Sequence, residues 1–175
     1  MFHIYLIMRF IKVRDVKSPV RGTDLSAGID FFVPNDFNSG KAFELKPHSD
    51  VLIPSGIKAD VLNTHMLMAA DKSGVVTSKT ACERANRKPK ANAFDSVVII
   101  GAKIIDEDYT GEIYIHLINV GNNSVAIEPG MKIAQFIAVP ISYVDLEEVN
   151  SEEELFKDKI SDRGENGFGF GTGCD

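Results

Sequence analysis

The sequence predicts an all-β fold, a sandwich or barrel. Three observations predict it. The apolar segments are short and rich in Val, Ile and Phe; Gly, Pro, Asn or Asp bounds each of them; and one segment alternates strictly between apolar and polar positions. Helical periodicity is weak along the whole chain.

Taken in order, Met8-Arg-Phe-Ile-Lys-Val-Arg14 alternates apolar and charged residues as an opening strand does, and Met8 can serve as the start, leaving residues 1–7 as an upstream extension. Ile29-Asp-Phe-Phe-Val33 runs up to Pro34 and Val51-Leu-Ile53 up to Pro54, and a proline closes a central strand because it has no N–H for the ladder. The stretch from Asp60 to Ala70 can be a turn or a strand. Ser96-Val-Val-Ile-Ile100 ends at Gly101. Glu112-Ile-Tyr-Ile-His-Leu-Ile-Asn-Val120 places Ile113, Ile115 and Leu117 on one face, the mark of a half-buried strand. Val125-Ala-Ile127 precedes the turn Pro129-Gly130, and the acidic run Asp145 to Asp158 has room for a short helix.

At 175 residues the chain is long enough for one domain with a substantial core. A net charge of −6 argues against a broad nucleic-acid face, so a phosphate site should be local and its ligand a small molecule. Cys82 and Cys174 are too few for a disulfide framework, and neither sits in Cys/His metal spacing, which fits a reducing, cytoplasmic setting. The apolar opening, broken by His3, Arg9 and Lys12, is too short to span a membrane and lacks the pattern of a secretory signal.

Three segments depart from the β rhythm. Residues 82–95 form a basic loop with Arg84, Arg87, Lys88 and Lys90, either simply solvated or a steering patch for a charged ligand. Residues 145–162 are mostly charged and read as a tether. Residues 163–175 hold five glycines, Phe168, Phe170 and Arg163. Glycine at this density costs too much backbone entropy for a regular element, so the segment is a flexible arm: a plain disordered terminus or a lid in which Gly and Arg meet phosphate and Phe stacks on a base. The organisation expected is a barrel over 1–144, the tether, and the arm.

Polar clusters mark where chemistry can sit. Asp106-Glu-Asp-Tyr-Thr-Gly-Glu112 puts four carboxylates at the start of the alternating strand. It is a solvated hairpin tip, or a site where a carboxylate orients and deprotonates water while Tyr109 packs on a sugar. Asp71-Lys-Ser-Gly-Val-Val-Thr-Ser-Lys79 combines cation, hydroxyls and glycine, as a phosphate loop or an ordinary turn does. Gln135 stands in an apolar strand and needs a partner if buried. No P-loop, zinc spacing or Gly-x-Ser-x-Gly elbow is present.

In order, these pieces resemble the five motifs of the trimeric dUTP diphosphatases (dUTPases), the phage type above all. They are Ala27-Gly-Ile-Asp30; Lys72-Ser-Gly74; Gly101-Ala-Lys-Ile-Ile-Asp-Glu-Asp-Tyr-Thr-Gly-Glu-Ile113; Gly130-Met-Lys-Ile-Ala-Gln-Phe-Ile137; and Arg163-Gly-Glu-Asn-Gly-Phe-Gly-Phe-Gly-Thr-Gly173. The resemblance covers residues 8–173, nearly the whole chain. The resemblance implies a jelly-roll or distorted β-barrel with a Gly-rich arm, a homotrimer with shared active sites, and hydrolysis of dUTP to dUMP and pyrophosphate with Mg²⁺, which limits uracil in DNA.

Residue by residue, the resemblance implies that Asp106 holds the attacking water and meets the 3′-hydroxyl, and that Tyr109 lies under the deoxyribose and excludes a 2′-hydroxyl. The hairpin Ile104, Ile105 through Tyr114 reads uracil through its backbone. Lys72, Ser73 and Gly74 meet phosphate, with Gln135 on the α-phosphate side. Arg163, Phe168, Gly169 and Thr172 close over the nucleotide, Phe168 on uracil and Thr172 on the γ-phosphate. Asp30 supports either the metal's water shell or the local fold. The placing of the arm as the fifth motif selects the lid over plain disorder.

Three features depart from the family pattern. Lys72 replaces the usual Arg and with it the bidentate fork; Lys103 and Ile100 stand where many members have Gly and Asn; and the insert at 82–95 is long. Two other readings are weighed against dUTP hydrolysis. One is a dCTP deaminase of the same fold, which lacks such an arm. The other is a nucleotide-gated regulatory protein, in which the arm senses dUTP and the surface binds a further protein partner; the basic insert is the feature that favours it.

Overall fold

Short β-rich segments separated by turn residues fold here into antiparallel sheets, in a computed structural model that describes residues 7–72, 96–162 and 164. The chain divides into two units, Met1–Ser142 and Tyr143–Asp175.

The first unit holds twelve strands among its described residues. They are β1 Arg9–Lys12, β2 Val20–Arg21, β3 Ile29–Phe32, β4 Phe43–Leu45, β5 Asp50–Pro54, β6 Ile57–Asp60, β7 His65–Ala70, β8 Val98–Ile100, β9 Ile104–Ile105, β10 Tyr114–Asn119, β11 Val125–Ile127 and β12 Lys132–Pro140. Five of them make the largest sheet, in the order β2-β3-β12-β7-β9; a second sheet runs β5-β10-β8, and β1-β6 and β11-β4 form two ribbons. Every pairing is antiparallel. The region 60–70, left open between turn and strand by its sequence, is the end of β6 and then β7.

The alternating segment behaves as its pattern demands. In β10, Ile115 and Leu117 are fully buried and Ile113 just before it nearly so, whereas Tyr114 and His116 face outward. Each fully buried Ile or Leu removes enough apolar area from water to contribute about 1.5–3 kcal/mol. From the large sheet Phe31, Leu67, Ile133 and Phe136 join the same core, and the rings of Phe31 and Phe136 meet with centroids 4.4 Å apart. Asn119 is one of four buried polar residues among those described, with Asp30, Ser55 and Ser96. Its amide donates to the carbonyls of Leu45 at 3.1 Å and Asn123 at 2.8 Å and accepts from the Ser96 hydroxyl at 2.7 Å, tying three segments together.

One expected strand packs differently from its pattern. β1 forms, but all four of its residues are exposed, with Phe10 at 43% and Ile11 at 62%. Among the described residues it pairs only with β6, in a two-stranded ribbon, and none of its side chains joins the buried core.

In the second unit the acidic run holds a single helical turn, α1 Glu152–Leu155. Ser151 caps it by accepting from the Glu154 N–H, and three glutamates in the first turn face the positive end of the helix dipole. Lys159 lies 5.4 Å from the Phe156 ring centre. Among the described residues no helix is long and apolar enough to cross a membrane.

Candidate active site

The acidic hairpin leaves the large sheet through β9, which pairs with β7 in the register Leu67↔Ile105 and Met68↔Ile104. Asp106 then opens a turn closed by the Tyr109 N–H on the Asp106 carbonyl at 3.2 Å, and its carboxylate side is exposed. The turn is tied to the β6–β7 connection, where Glu107 accepts from the Thr64 N–H at 2.8 Å. Tyr109 does not swing free: its hydroxyl donates to the Glu112 carbonyl at 2.8 Å, and the ring lies against Gly111. A Cβ at position 111 would overlap the end of that ring, so glycine is required there for close approach.

Glu112, read from sequence only as part of the acidic cluster, anchors the far side of the hairpin. One carboxylate oxygen accepts from both Arg14 Nε and the Gly56 N–H at 2.8 Å, and the other accepts from Arg14 Nη2 at 3.3 Å. The hydrogen bond to Glu112 holds the Arg14 guanidinium charged, raised above its ordinary range despite the opposing cost of burial. Such a fork fixes direction as well as distance. A cleft of about 440 Å³ opens between this turn and the β1–β6 ribbon, lined by Phe10, Ile11, Ala59, Asp108 and Tyr109 among others.

A second group forms at the other motifs. Asp30 in β3 is buried, and its two oxygens are divided between Lys72 Nζ at 2.6 Å and Lys132 Nζ at 2.8 Å. Burial alone pushes this carboxyl up; the hydrogen bonds from Lys132 and Lys72 outweigh it and hold the group below the usual carboxylate range. Gln135, opposite Asp30 in the β3–β12 register, donates to the Asp71 carbonyl at 2.9 Å, which supplies the partner that a polar residue in an apolar strand requires. The Asp71 carboxylate in turn accepts from the Ile100 N–H at 2.6 Å.

The described site residues therefore fall into two groups on one chain. Asp30, Lys72 and Gln135 stand together at β3, β12 and the end of β7, and Ile104, Ile105, Asp106, Tyr109 and Tyr114 stand together at the hairpin, with β7 lying between β12 and β9. Ser73, Gly74, Arg163, Phe168, Gly169 and Thr172, with the insert at 82–95, lie outside the described residues. Sequence reasoning missed the roles of Lys132, Asp71, Arg14 and Glu112. Lys132 and Glu112 lie inside the quoted motifs, but their partners are far away in sequence. No spacing rule signals Arg14 or the Asp71 side chain.

Among the described residues no group of three or more His, Cys, Asp or Glu side chains is placed to hold a metal ion. The cationic second group suits an anion instead, since two lysines share one carboxylate.

Comparison with known proteins shows the family. The family model described as dUTPase matches residues 62–171. The deoxyuridine 5′-triphosphate nucleotidohydrolase of fowlpox virus is 30% identical over 159 residues, which are 90% of this chain and 92% of that protein. The mouse enzyme of the same name is 28% identical over 163 residues, 93% of this chain and 83% of its own. In three dimensions a mutant dUTPase of the 80alpha phage superposes with a TM-score of 0.69 at 20% identity, covering 95% of this chain and 99% of that one. The dUTPase of phage phi11 of S. aureus superposes with a TM-score of 0.64 at 18% identity over 85% of this chain and 99% of its own. With the family model covering well over half its length and its strands laid out as in the phage structures, the chain belongs to the dUTPase family.

Proposed function

We propose that this chain hydrolyses dUTP to dUMP and pyrophosphate. The observation that carries the reading is the hairpin at 104–114, which holds an exposed carboxylate, Asp106, beside a tyrosine ring clamped in one orientation. Asp106 takes a proton from water as the water oxygen bonds to the α-phosphorus; the bond from that phosphorus to the bridging oxygen breaks, and pyrophosphate leaves with the electron pair. Tyr109 lies under the deoxyribose and leaves no room for a 2′-hydroxyl, while backbone groups from Ile104 to Tyr114 read uracil. Positioning and electrostatics supply most of the rate.

Lys72, Ser73, Gly74 and Gln135 hold the phosphates. Asp30 accepts from Lys72 and Lys132, which favours its acting as an anchor for those lysines over a metal ligand. A magnesium ion would come with the nucleotide, whose triphosphate oxygens would hold it; among the described residues no side-chain cluster is placed to do so. When bound, Mg²⁺ neutralises triphosphate charge. Arg163, Phe168, Gly169 and Thr172 close over the substrate and exclude water, which strengthens each charge contact beneath.

In this reading the protein is a homotrimer in which each site draws on more than one subunit. The acidic tether lets an arm reach a neighbour's site. Cytoplasmic dUTP is the substrate pool that fits such an enzyme.

The test is substrate-resolved turnover. With Mg²⁺ the protein should release pyrophosphate from dUTP and far less from UTP, dCTP or dTTP. Ammonia released from dCTP, or no turnover of dUTP, overturns the reading.

A further inference from the structure

Between β8 and β9 the chain changes sheets. β8 pairs with β10 in the second sheet, β9 pairs with β7 in the first, and Gly101 to Lys103 make the crossing. The last ladder bond is the Gly101 N–H on the His116 carbonyl at 2.9 Å. One residue later the Ala102 N–H has left that ladder, and a backbone donor at such a crossing needs another acceptor. His116 provides it: its Nδ1 accepts from Ala102 at 3.2 Å. The imidazole reaches that far because it lies directly on Gly101, where a Cβ would overlap the ring.

That acceptance assigns the tautomer. With Nδ1 receiving the Ala102 proton, Nε2 carries the ring proton and donates to the Asp50 carboxylate at 2.9 Å. Asp50 thus aims the ring, and the ring holds the peptide. On the other side of the crossing the Lys103 carbonyl accepts from the Ala69 N–H at 2.6 Å. Two bonds, one from each sheet, therefore fix the residues that lead straight into Ile104, Ile105 and Asp106.

The geometry points to His116 as a positioning residue for base recognition: through Ala102 it sets the placement of the backbone that reads uracil, and Asp50 orients it. This rests on the reading of the hairpin as the uracil site. His116 touches no substrate. Its removal should loosen recognition of the base and leave the chemical step at Asp106 in place, so the effect falls on KM and on discrimination between uracil and cytosine.

The test compares three variants. His116→Val keeps a β-forming side chain and removes both bonds; His116→Asn puts an amide oxygen where Nδ1 stands; His116→Gln reaches toward Asp50 but not Ala102. In His116→Val, KM for dUTP should rise about tenfold with kcat within about twofold, and the preference for dUTP over dCTP should fall. His116→Asn should restore KM to within about threefold of the parent, and His116→Gln should not. Amide exchange at Ala102 gives a readout independent of turnover: protection should be lost in His116→Val, lost in His116→Gln and kept in His116→Asn.

Unchanged protection in His116→Val overturns the proposal, as does lost protection with KM and base preference both unchanged. A fall in kcat alone overturns it too. Should the valine variant fail to fold, the Asn and Gln pair decides by the same two readouts. Should the parent protein not turn over dUTP, the functional reading fails, whereas the exchange data still decide whether His116 holds the crossing.

Discussion

The Tyr109 hydroxyl donates to the backbone carbonyl of Glu112 at 2.8 Å, so the ring is locked across the hairpin that carries it. A platform fixed in this way imposes no ordering cost when a sugar settles on it. Gly111 makes the lock sterically feasible. Gly111→Ala should therefore push the ring aside, lowering kcat/KM for dUTP about tenfold and narrowing the preference for dUTP over UTP. Steady-state kinetics on both nucleotides check it, and an unchanged ratio would show that Tyr109 does not exclude the 2′-hydroxyl.

Asp106→Asn should keep nucleotide binding and lose turnover by at least about a hundredfold, the usual scale for removing a general base. The side chain is exposed, so the change leaves the fold intact. Calorimetric binding of a non-hydrolysable dUTP analogue together with pyrophosphate release separates the two effects. Parent-like turnover would place the base elsewhere.

Asp30 joins Lys72 and Lys132, and Asp30→Asn leaves both facing a neutral amide. With the lysine side chains 25% and 39% exposed, solvent takes up part of the lost interaction, so the cost is about 1–3 kcal/mol, and the chemical-denaturation midpoint should fall accordingly. The acid profile follows from the same contacts. Because the folded carboxyl binds its proton less tightly than the unfolded one, its stabilisation is full above the ordinary carboxylate range and is lost as the pH falls through the lowered folded value. Denaturation midpoints across an acid series should show that loss in the parent and a flatter profile in Asp30→Asn.

Removing residues 163–175 should leave a folded oligomer that hydrolyses dUTP poorly. Size-exclusion chromatography and turnover measured on the same sample check both halves of the expectation. Full activity in the truncated chain would return the arm to a plain terminus.

Much of the fold was legible because its signals are local. Ile113, Ile115 and Leu117 alternate over five residues, and Pro34, Pro54 and Gly101 stop strands where their backbone chemistry predicts. β1 shows the limit: alternation predicts a strand, and a strand forms, but burial of one face depends on what the tertiary structure lays against it. The candidate site divides the same way. Residue types in the motifs announced Asp106, Tyr109, Lys72 and Gln135, whereas Glu112 with Arg14 and His116 with Asp50 are pairings across 98 and 66 residues that only the folded chain creates. Asp30 lay between two readings in sequence, the metal's water shell and the local fold, and its two lysine partners, 42 and 102 residues away, are likewise pairings that only the folded chain creates.

The five-stranded sheet brings Asp30, Lys72 and Lys132 into contact from positions spread over a hundred residues. Loops of that length must close before any of these charges meets its partner, and topologies dominated by such distant pairings fold slowly, in the range of milliseconds to seconds. A charge cluster made in this way cannot exist in a half-built chain. On the proposed reading of that cluster as the phosphate site, nucleotide binding reports completed folding, and a nascent or damaged molecule without the central strand β12 would not sequester substrate it is unable to hydrolyse.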